Sequence, residues 1–350
     1  MKRKIFVLLC SVLLLTAALF ALTACGCDHR DADDDGKCDY CGDKYRDGKD
    51  NKGSDCEHRD ANDDARCDKC GESFSDGEDV LKTYKRCDAD GTLNENGDYL
   101  LFGEYPQSLK ASDVTVTSET DSRGYYLGSD GFYYAQVTAA PYGSHGYIFS
   151  NGESITKDTV YYFKVEPIRW RILTKSGNEA IILCDSIIAN MPYDAGADNN
   201  YKKSDIRAFL NASFYETAFN TFQKQLILET TVDNSVASTG SASNAYACEN
   251  TVDKVFLLSF SEVINNESHG FASDSTVLDP LRAMITSDYA RATGALTNFS
   301  GNFGRGHWWL RSPYNYYSIV RCVEDTGRAG HNYDVGNAGV GVVPALWIRL

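Results

Sequence analysis

The stretch that most limits the possible folds is residues 307–350, where an aromatic, basic block and an apolar run enclose a polar segment. The block is His307-Trp308-Trp309-Leu310-Arg311-Ser312-Pro313, and the run extends from Val340 to Leu350. Between them Tyr, Asn, Ser, Asp and Gly dominate. Two apolar walls around such an insert describe a rigid frame that displays a surface. Adjacent residues on a strand face opposite ways, so Trp308 and Trp309 read as frame rather than ligand contacts. Tyr, Ser, Asn and Gly are the residues of recognition loops, because Tyr gives contact area at low entropy cost. The candidate ligand-binding residues are therefore Tyr314, Asn315, Tyr316, Tyr317 and Ser318, ahead of a strand-like Ile319-Val320-Arg321. Asn332, Tyr333, Asp334 and Asn337, which come after Gly327 and Gly330, complete the set.

Charge divides the chain. The formal net charge over 350 residues is −15. That disfavours nucleic acid and anionic membrane surfaces as partners. Residues 27–80 hold 19 acidic against nine basic side chains, which marks a domain boundary near residues 80–95. Ahead of them, Lys2-Arg3-Lys4 is a positive start, Ile5 to Leu22 is apolar, and Leu22-Thr23-Ala24-Cys25 fits a lipoprotein cleavage box. A plain spanning helix is the other reading of that run. The box favours export, with residues 1–24 as signal peptide and 25–26 as a lipidated start at Cys25, which anchors the protein to the membrane by lipid, facing outward.

Next come two copies of one motif, 27–42 and 56–71, opening 29 residues apart at Cys27 and Cys56. Cys27, His29, Cys38 and Cys41 in the first copy, and Cys56, His58, Cys67 and Cys70 in the second, give three thiolates and one imidazole each. That is a closed tetrahedral zinc set, so two zinc sites are expected. In the first copy Asp31, Asp33, Asp35 and Asp39 alternate as in calcium loops, with Gly36 at the bend, which makes calcium a second metal candidate. Exported cysteines also pair, so disulfides across the copies stay open, as does a solvated acidic spacer. Modules this small need a staple of some kind. Residues 43–55 and 72–95 read as linkers.

From residue 96 the pattern changes to short apolar runs and turns. Tyr99-Leu100-Leu101-Phe102, Thr159 to Leu173 and Ala180 to Ile188 read as strands, with a turn at 175–178, and Tyr125 to Val137 reads as a hairpin. Val165, Ile168, Trp170 and Ile172 are core candidates. Ser204 to Ile227 reads as a helix capped by Ser204, with Ile206, Phe209, Leu210, Phe214, Ala218 and Phe222 on one face. Val255 to Leu258 reads as a strand, and Ser259 to Ile264 and Leu281 to Ala292 as shorter helices. The expected fold is α+β, a domain of short strands with one or two helices over residues 96–350.

Catalytic signatures are missing. There is no G-x-S-x-G, H-E-x-x-H or P-loop motif. His145, His269, His307 and His331 sit in polar or glycine-rich settings without triad or metal spacing. Cys248 and Cys322 are a conceivable disulfide, and Cys184 lies in an apolar strand. Only scattered groups such as His307, Glu324 and Asp325 would serve an enzyme.

Several motifs together carry a resemblance. They are WWLRSP at 308–313, GVVPALWI at 341–348, Phe102-Gly103-Glu104-Tyr105-Pro106-Gln107, Glu166 to Leu173, Ser204 to Phe219, and Val255 to Ser259. Over residues 95–350 the chain resembles an uncharacterised bacterial lipoprotein domain family, itself similar to the C-type-lectin-like fold of formylglycine-generating enzymes and of retroelement-diversified proteins. The resemblance implies a C-type-lectin-like domain with a variable C-terminal surface. It does not carry the oxidase activity, because the required cysteine pair is missing. The expectation is a non-enzymatic, cell-surface lipoprotein that binds an extracellular protein or glycan and no nucleic acid. An envelope enzyme on the same fold, and a structural or metal-binding envelope protein, are the alternatives.

Overall fold

Seventeen residues, Val160–Ser176, form the strand on which the main sheet is built. The structure is a computed structural model, and it describes residues 83–143, 147–301 and 303–350. All of these belong to one unit, His58–Leu350. The segment read as a signal peptide, Cys25, both Cys/His/Asp motifs and His145 lie outside the described residues.

The strands in chain order are β1 (Tyr84–Cys87), β2 (Tyr99–Leu109), β3 (Val116–Thr120), β4 (Tyr126–Gly128), β5 (Tyr133–Thr138), β6 (Val160–Ser176) and β7 (Glu179–Cys184). Then come β8 (Ser186–Ile187), β9 (Ala189–Asn190), β10 (Ile227–Leu228), β11 (Thr230–Val232), β12 (Thr251–Asp253) and β13 (Ile285–Thr286). The last five are β14 (Trp308–Pro313), β15 (Ile319–Val323), β16 (His331–Asp334), β17 (Gly341–Val342) and β18 (Ala345–Arg349). Helices are short: α1 (Asp205–Phe209), a π-turn (Leu210–Phe214), α2 (Tyr215–Ala218), α3 (Thr221–Lys224), α4 (Phe260–Val263), α5 (Asn266–His269) and α6 (Asp288–Thr293).

β6 pairs with β2 along one edge, and with β5 and then β7 along the other. Its buried residues are Phe163 and Val165, then Ile168 and Trp170. The alternation changes phase across Glu166-Pro167. There the register with β2 slips by one residue, at Gly103, whose φ is +69. A Cβ on Gly103 would lie 2.6 Å from the Phe219 ring, so only glycine fits this bulge. The phase change lets one strand serve two cores. Phe163 joins a small cluster with Phe149 and Tyr147, and Trp170 joins the main core.

A five-stranded sheet, in the order β16-β15-β14-β17-β9, carries the C-terminal block. The apolar run Val340 to Leu350 divides between the two sheets: β17 pairs with β14 and β9, while β18 pairs with β7 and β10. Pro344 stands at the break. It cannot donate to a ladder, and its carbonyl accepts from Cys184 N.

The α+β expectation is overturned. Of the described residues 36% lie in strands and 15% in helices, so the protein is mainly β. The expected helix from Ser204 to Ile227 is broken. Ser204 does cap it, accepting from Arg207 N, and Ile206, Leu210, Phe214 and Ala218 are buried as the periodicity predicts. Phe219 then turns extended, and Asn220 starts α3 afresh through a capping box with Gln223. The helix expected from Leu281 shrinks to α6, because Ile285 and Thr286 pair in parallel with β8 and the Ser287 cap opens the helix only at Asp288. Val255 to Leu258 is extended and buried but outside the ladders. Phe256 exchanges hydrogen bonds with Ala345, and Leu258 O accepts from Arg311 N, so the segment threads between β18 and β14. β1 falls in the stretch read as linker 72–95. It pairs with β2 and buries Cys87, whose carbonyl a Cβ on Gly97 would approach to 2.0 Å. Cys87, Cys184, Cys248 and Cys322 are all free thiols, so Cys248 and Cys322 are not bonded to each other.

Candidate functional site

β14 is buried along its whole length, and it holds the candidate surface by a dense set of bonds. Trp308 and Trp309 are fully buried on opposite sides of the sheet. Their indole N–H groups donate to Arg282 O at 2.9 Å and Met191 O at 3.0 Å. Both therefore belong to the frame. Ser312 Oγ donates to Ser238 O at 3.0 Å and accepts from Phe260 N, and Asn244 Nδ2 donates to Pro313 O.

From this frame the chain emerges as the loop 314–318. Tyr314, Tyr316 and Tyr317 are 38%, 57% and 58% exposed, and Asn315 is exposed beside them. Exposed rings on a mobile loop would lose much of any contact energy to ordering. Here the loop is braced. Asn199 Nδ2 donates to both Tyr316 O and Ile319 O, and Tyr314 N donates to Ile319 O. Ser318 takes a left-handed backbone, φ 60, and is buried. A non-glycine residue there stores strain that the surrounding bonds must hold. Its Oγ donates to Asp334 Oδ2 at 3.2 Å.

Of the residues read as ligand-binding, Ser318, Asp334 and Asn337 spend polar atoms on the loops themselves. Asp334 Oδ1 accepts from Gly336 N, and Asn337 Oδ1 from Gly339 N. Asn332 lies across the ladder from Arg321, and Tyr333 from Val320, so these two face opposite sides of the sheet. The structure thus brings Tyr314, Asn315, Tyr316, Tyr317 and Asn332 toward one rim and puts Tyr333 on the other face.

On that other face Tyr333 packs with two histidines. Ring centres are 5.4 Å apart for His307 and His331, 5.4 Å for His307 and Tyr333, and 4.9 Å for His331 and Tyr333. His307 Nδ1 is buried with no hydrogen-bond partner. Burial pushes the His307 imidazole down to about 4; Asp325 opposes this and His331 adds to it. Burial likewise pushes the Tyr333 hydroxyl up to about 12. Asp325 is itself engaged by Asn298 Nδ2. His269 sits elsewhere, near Thr174 and Phe271. Among the described residues no cluster of three or more His, Cys, Asp or Glu could hold a metal. Among them, too, no helix is long and apolar enough to cross a membrane.

His307 yields a pH prediction. Its folded pKa lies below the ordinary 6.5, so between these values the unfolded chain binds more protons than the folded one. The stability is present in full above about pH 6.5 and is lost as pH falls toward about 4. Urea midpoints measured near pH 7 and near pH 4.5 should differ, with His307 supplying up to about 2 kcal/mol of the difference. His307→Gln should flatten that difference.

Three residues that shape this region escaped the sequence reading. Asn199 and Asn244 sit in polar stretches with no local mark. Arg321 did leave one, as a charge between the buried Val320 and Cys322.

One domain match is found for part of the chain. Residues 177–350, just under half of the chain, match the model of a Domain of unknown function (DUF6273). The matched segment runs from the turn before β7 to the C-terminus and contains both candidate faces. No curated protein and no solved structure matches the chain.

Proposed function

We propose that this chain is an exported surface protein, lipid-anchored at Cys25, whose C-terminal domain binds an extracellular protein or glycan through the tyrosine rim of residues 314–318. The observation that carries the reading is the contrast within a dozen residues: a fully buried strand, then three exposed tyrosines on a braced loop. Large amphipathic rings held rigid outside a core lose little entropy on binding and make effective anchors. In this reading the two Cys/His/Asp motifs, stapled by zinc or otherwise, space the domain from the membrane.

The test is binding of the full chain to arrays of immobilised glycans and of purified extracellular proteins. The variant is Tyr316→Ser with Tyr317→Ser. These side chains are exposed, so the thermal midpoint should stay within a few degrees, while affinity for whatever the parent binds should fall about ten-fold or more. Unchanged binding by the variant would refute the reading, as would a parent that binds nothing on either array.

A further inference from the structure

The tyrosine rim borders a cation that has no carboxylate partner among the described residues. The Arg321 guanidinium carbon stands 4.0 Å from the ring centre of Phe260 and 5.3 Å from that of Tyr314. Phe260 is held from behind by Gly240, where a Cβ would come within 2.3 Å of the ring. Arg123, Arg169, Arg207, Arg282, Arg291 and Arg311 each have a carboxylate within reach. Arg321, like Arg86, Arg171, Arg305, Arg328 and Arg349, has none among the described residues; its Nε is buried without an acceptor, and of these six it is the one beside the tyrosine rim. Burial lowers its pKa, and only the Tyr314 hydroxyl counters this. The side chain as a whole is half-buried, so part of it reaches solvent.

Directly across the ladder stands Asn332. Opposed residues share a face, with Cβ atoms roughly 5 Å apart. The Asn332 amide makes no hydrogen bond among the described residues. Two polar groups without a partner among the described residues, one cationic and one able both to donate and to accept, thus lie side by side, with Arg321 against the Tyr314 ring.

We infer that Arg321 and Asn332 form a subsite for the carboxylate of an acidic sugar, with Tyr314, Tyr316 and Tyr317 stacking against the sugar rings. This rests on the binding reading above and names its ligand class. A guanidinium stacked on aromatic rings has its plane fixed and its N–H fork directed outward, which suits a bidentate carboxylate. The Asn332 amide can then take a neighbouring hydroxyl. Tyrosine faces carry negative charge, and the C–H face of a pyranose is weakly positive, so the two attract while burying apolar area. Tyr316 and Tyr317 present such faces with ring centres 5.4 Å apart.

Size and charge favour a sugar over the other anions. A stable protein partner needs about 800 Å² on each side around an apolar centre. Here three tyrosines stand among Asn315, Asn332 and Asp334. The chain's net charge of −15 repels polyanions, so a ligand with one carboxylate among neutral sugars suits it better than a polyphosphate.

The experiment is calorimetric titration of the full chain with an oligosaccharide ending in glucuronic acid and with its glucose-ended counterpart. The acidic sugar should bind about ten-fold tighter. Arg321→Met should abolish that preference and leave the weaker, tyrosine-dependent binding of the neutral sugar. Arg321→Lys should restore only part of it, since a lysine keeps the charge but not the fork. Loss of the Phe260 contact could disturb folding, so Asn332→Ala is the second variant. It should reduce the preference several-fold with an unchanged thermal midpoint. Equal affinity of the parent for both sugars, or a preference that survives Arg321→Met, overturns the inference and leaves the binding reading standing. So does binding of a peptide with a free C-terminal carboxylate in place of both sugars. A chain that binds neither sugar, nor that peptide, nor anything on the arrays loses both.

Discussion

Replacing Arg311 with methionine is expected to lower the unfolding free energy by about 3–5 kcal/mol, a large share of a typical domain's stability. Arg311 is 2% exposed in the middle of β14. Its two Nη atoms meet the two Glu262 oxygens at 2.6 and 2.8 Å. Nη1 also donates to Leu257 O at 2.7 Å, and Nε and Nη2 donate to Asp233 O. One guanidinium thus ties β14 to the start of α4, to the threaded 255–258 segment and to the loop after β11. Burial opposes the charge on both partners, and the pair more than offsets it: Arg311 holds Glu262 below the usual carboxylate range, and Glu262 holds Arg311 above its own. Glu262 therefore stabilises fully above its unfolded pKa, and that part is lost as acid titrates it. Methionine removes the charge and leaves Glu262 and two carbonyls facing an apolar side chain. Glu262→Gln should cost less, about 1–2 kcal/mol, because the amide oxygen still accepts. The double variant Arg311→Met with Glu262→Leu should be more stable than Arg311→Met alone, since no unpaired charge stays behind. Urea titration of all four proteins decides this. A single Arg311→Met variant costing under about 1 kcal/mol would show that the pair does not hold the frame.

The sequence is informative where its signals are local. Strands β2 and β6 were legible because Leu100 and Phe102, and then Ile168 and Trp170, alternate with less buried neighbours, and β7 because it is a continuous apolar run from Ala180 to Cys184. Ser204 and Ser259 were legible as helix starts, since a cap is a local bond between a hydroxyl and an amide a few residues on. The tyrosine loop was legible because residue type alone sets it apart from the walls beside it. The mainly β character was not. Strands β8, β9, β10, β13 and β17 are two residues long, too short to show a period of two. Their pairing partners lie far away in sequence, as Ser186 does from Ile285. The break at Phe219 was almost invisible for the same reason. Gly103, more than a hundred residues earlier, packs against it, and within 204–227 only the Asn220–Gln223 capping box marks it. The Arg321 subsite combines a strand, a facing strand and Phe260 from a separate helix, so its polar groups meet only in the fold.

The second large effect is expected at Arg282, which sat unnoticed in a segment read as helix. It is fully buried and serves as a hub for carbonyl groups. Nε donates to Gly327 O at 2.6 Å, Nη1 to Val263 O and Ala272 O at 3.0 and 2.9 Å, and Nη2 to Asp274 O and Val277 O, both at 3.2 Å. Asp279 Oδ2 stands 3.3 Å from Nε and supplies the counter-charge. The backbone from 263 to 279 has little regular structure beyond α5, so these bonds replace a ladder. The Arg282 carbonyl also accepts from Trp308 Nε1, which connects the hub to β14. Arg282→Met would leave five carbonyls without this donor, each costing about 1–3 kcal/mol where water cannot enter, and would strip Asp279 of its counter-charge, leaving it only the Ala272 and Leu281 amides. Relaxation of the loop would recover part of that, so the expected loss is about 4 kcal/mol or more. Arg282→Lys should fall well short of rescue, because three donors on a point charge cannot cover five acceptors spread around a plane. The loss should also be visible locally. Limited proteolysis of Arg282→Met should cut within 265–281 under conditions where the parent resists, and hydrogen exchange there should rise more than at β6 and β7. An Arg282→Met protein with parental stability and an intact 265–281 loop would mean that water can satisfy those carbonyls, and that this arginine does not hold the loop closed.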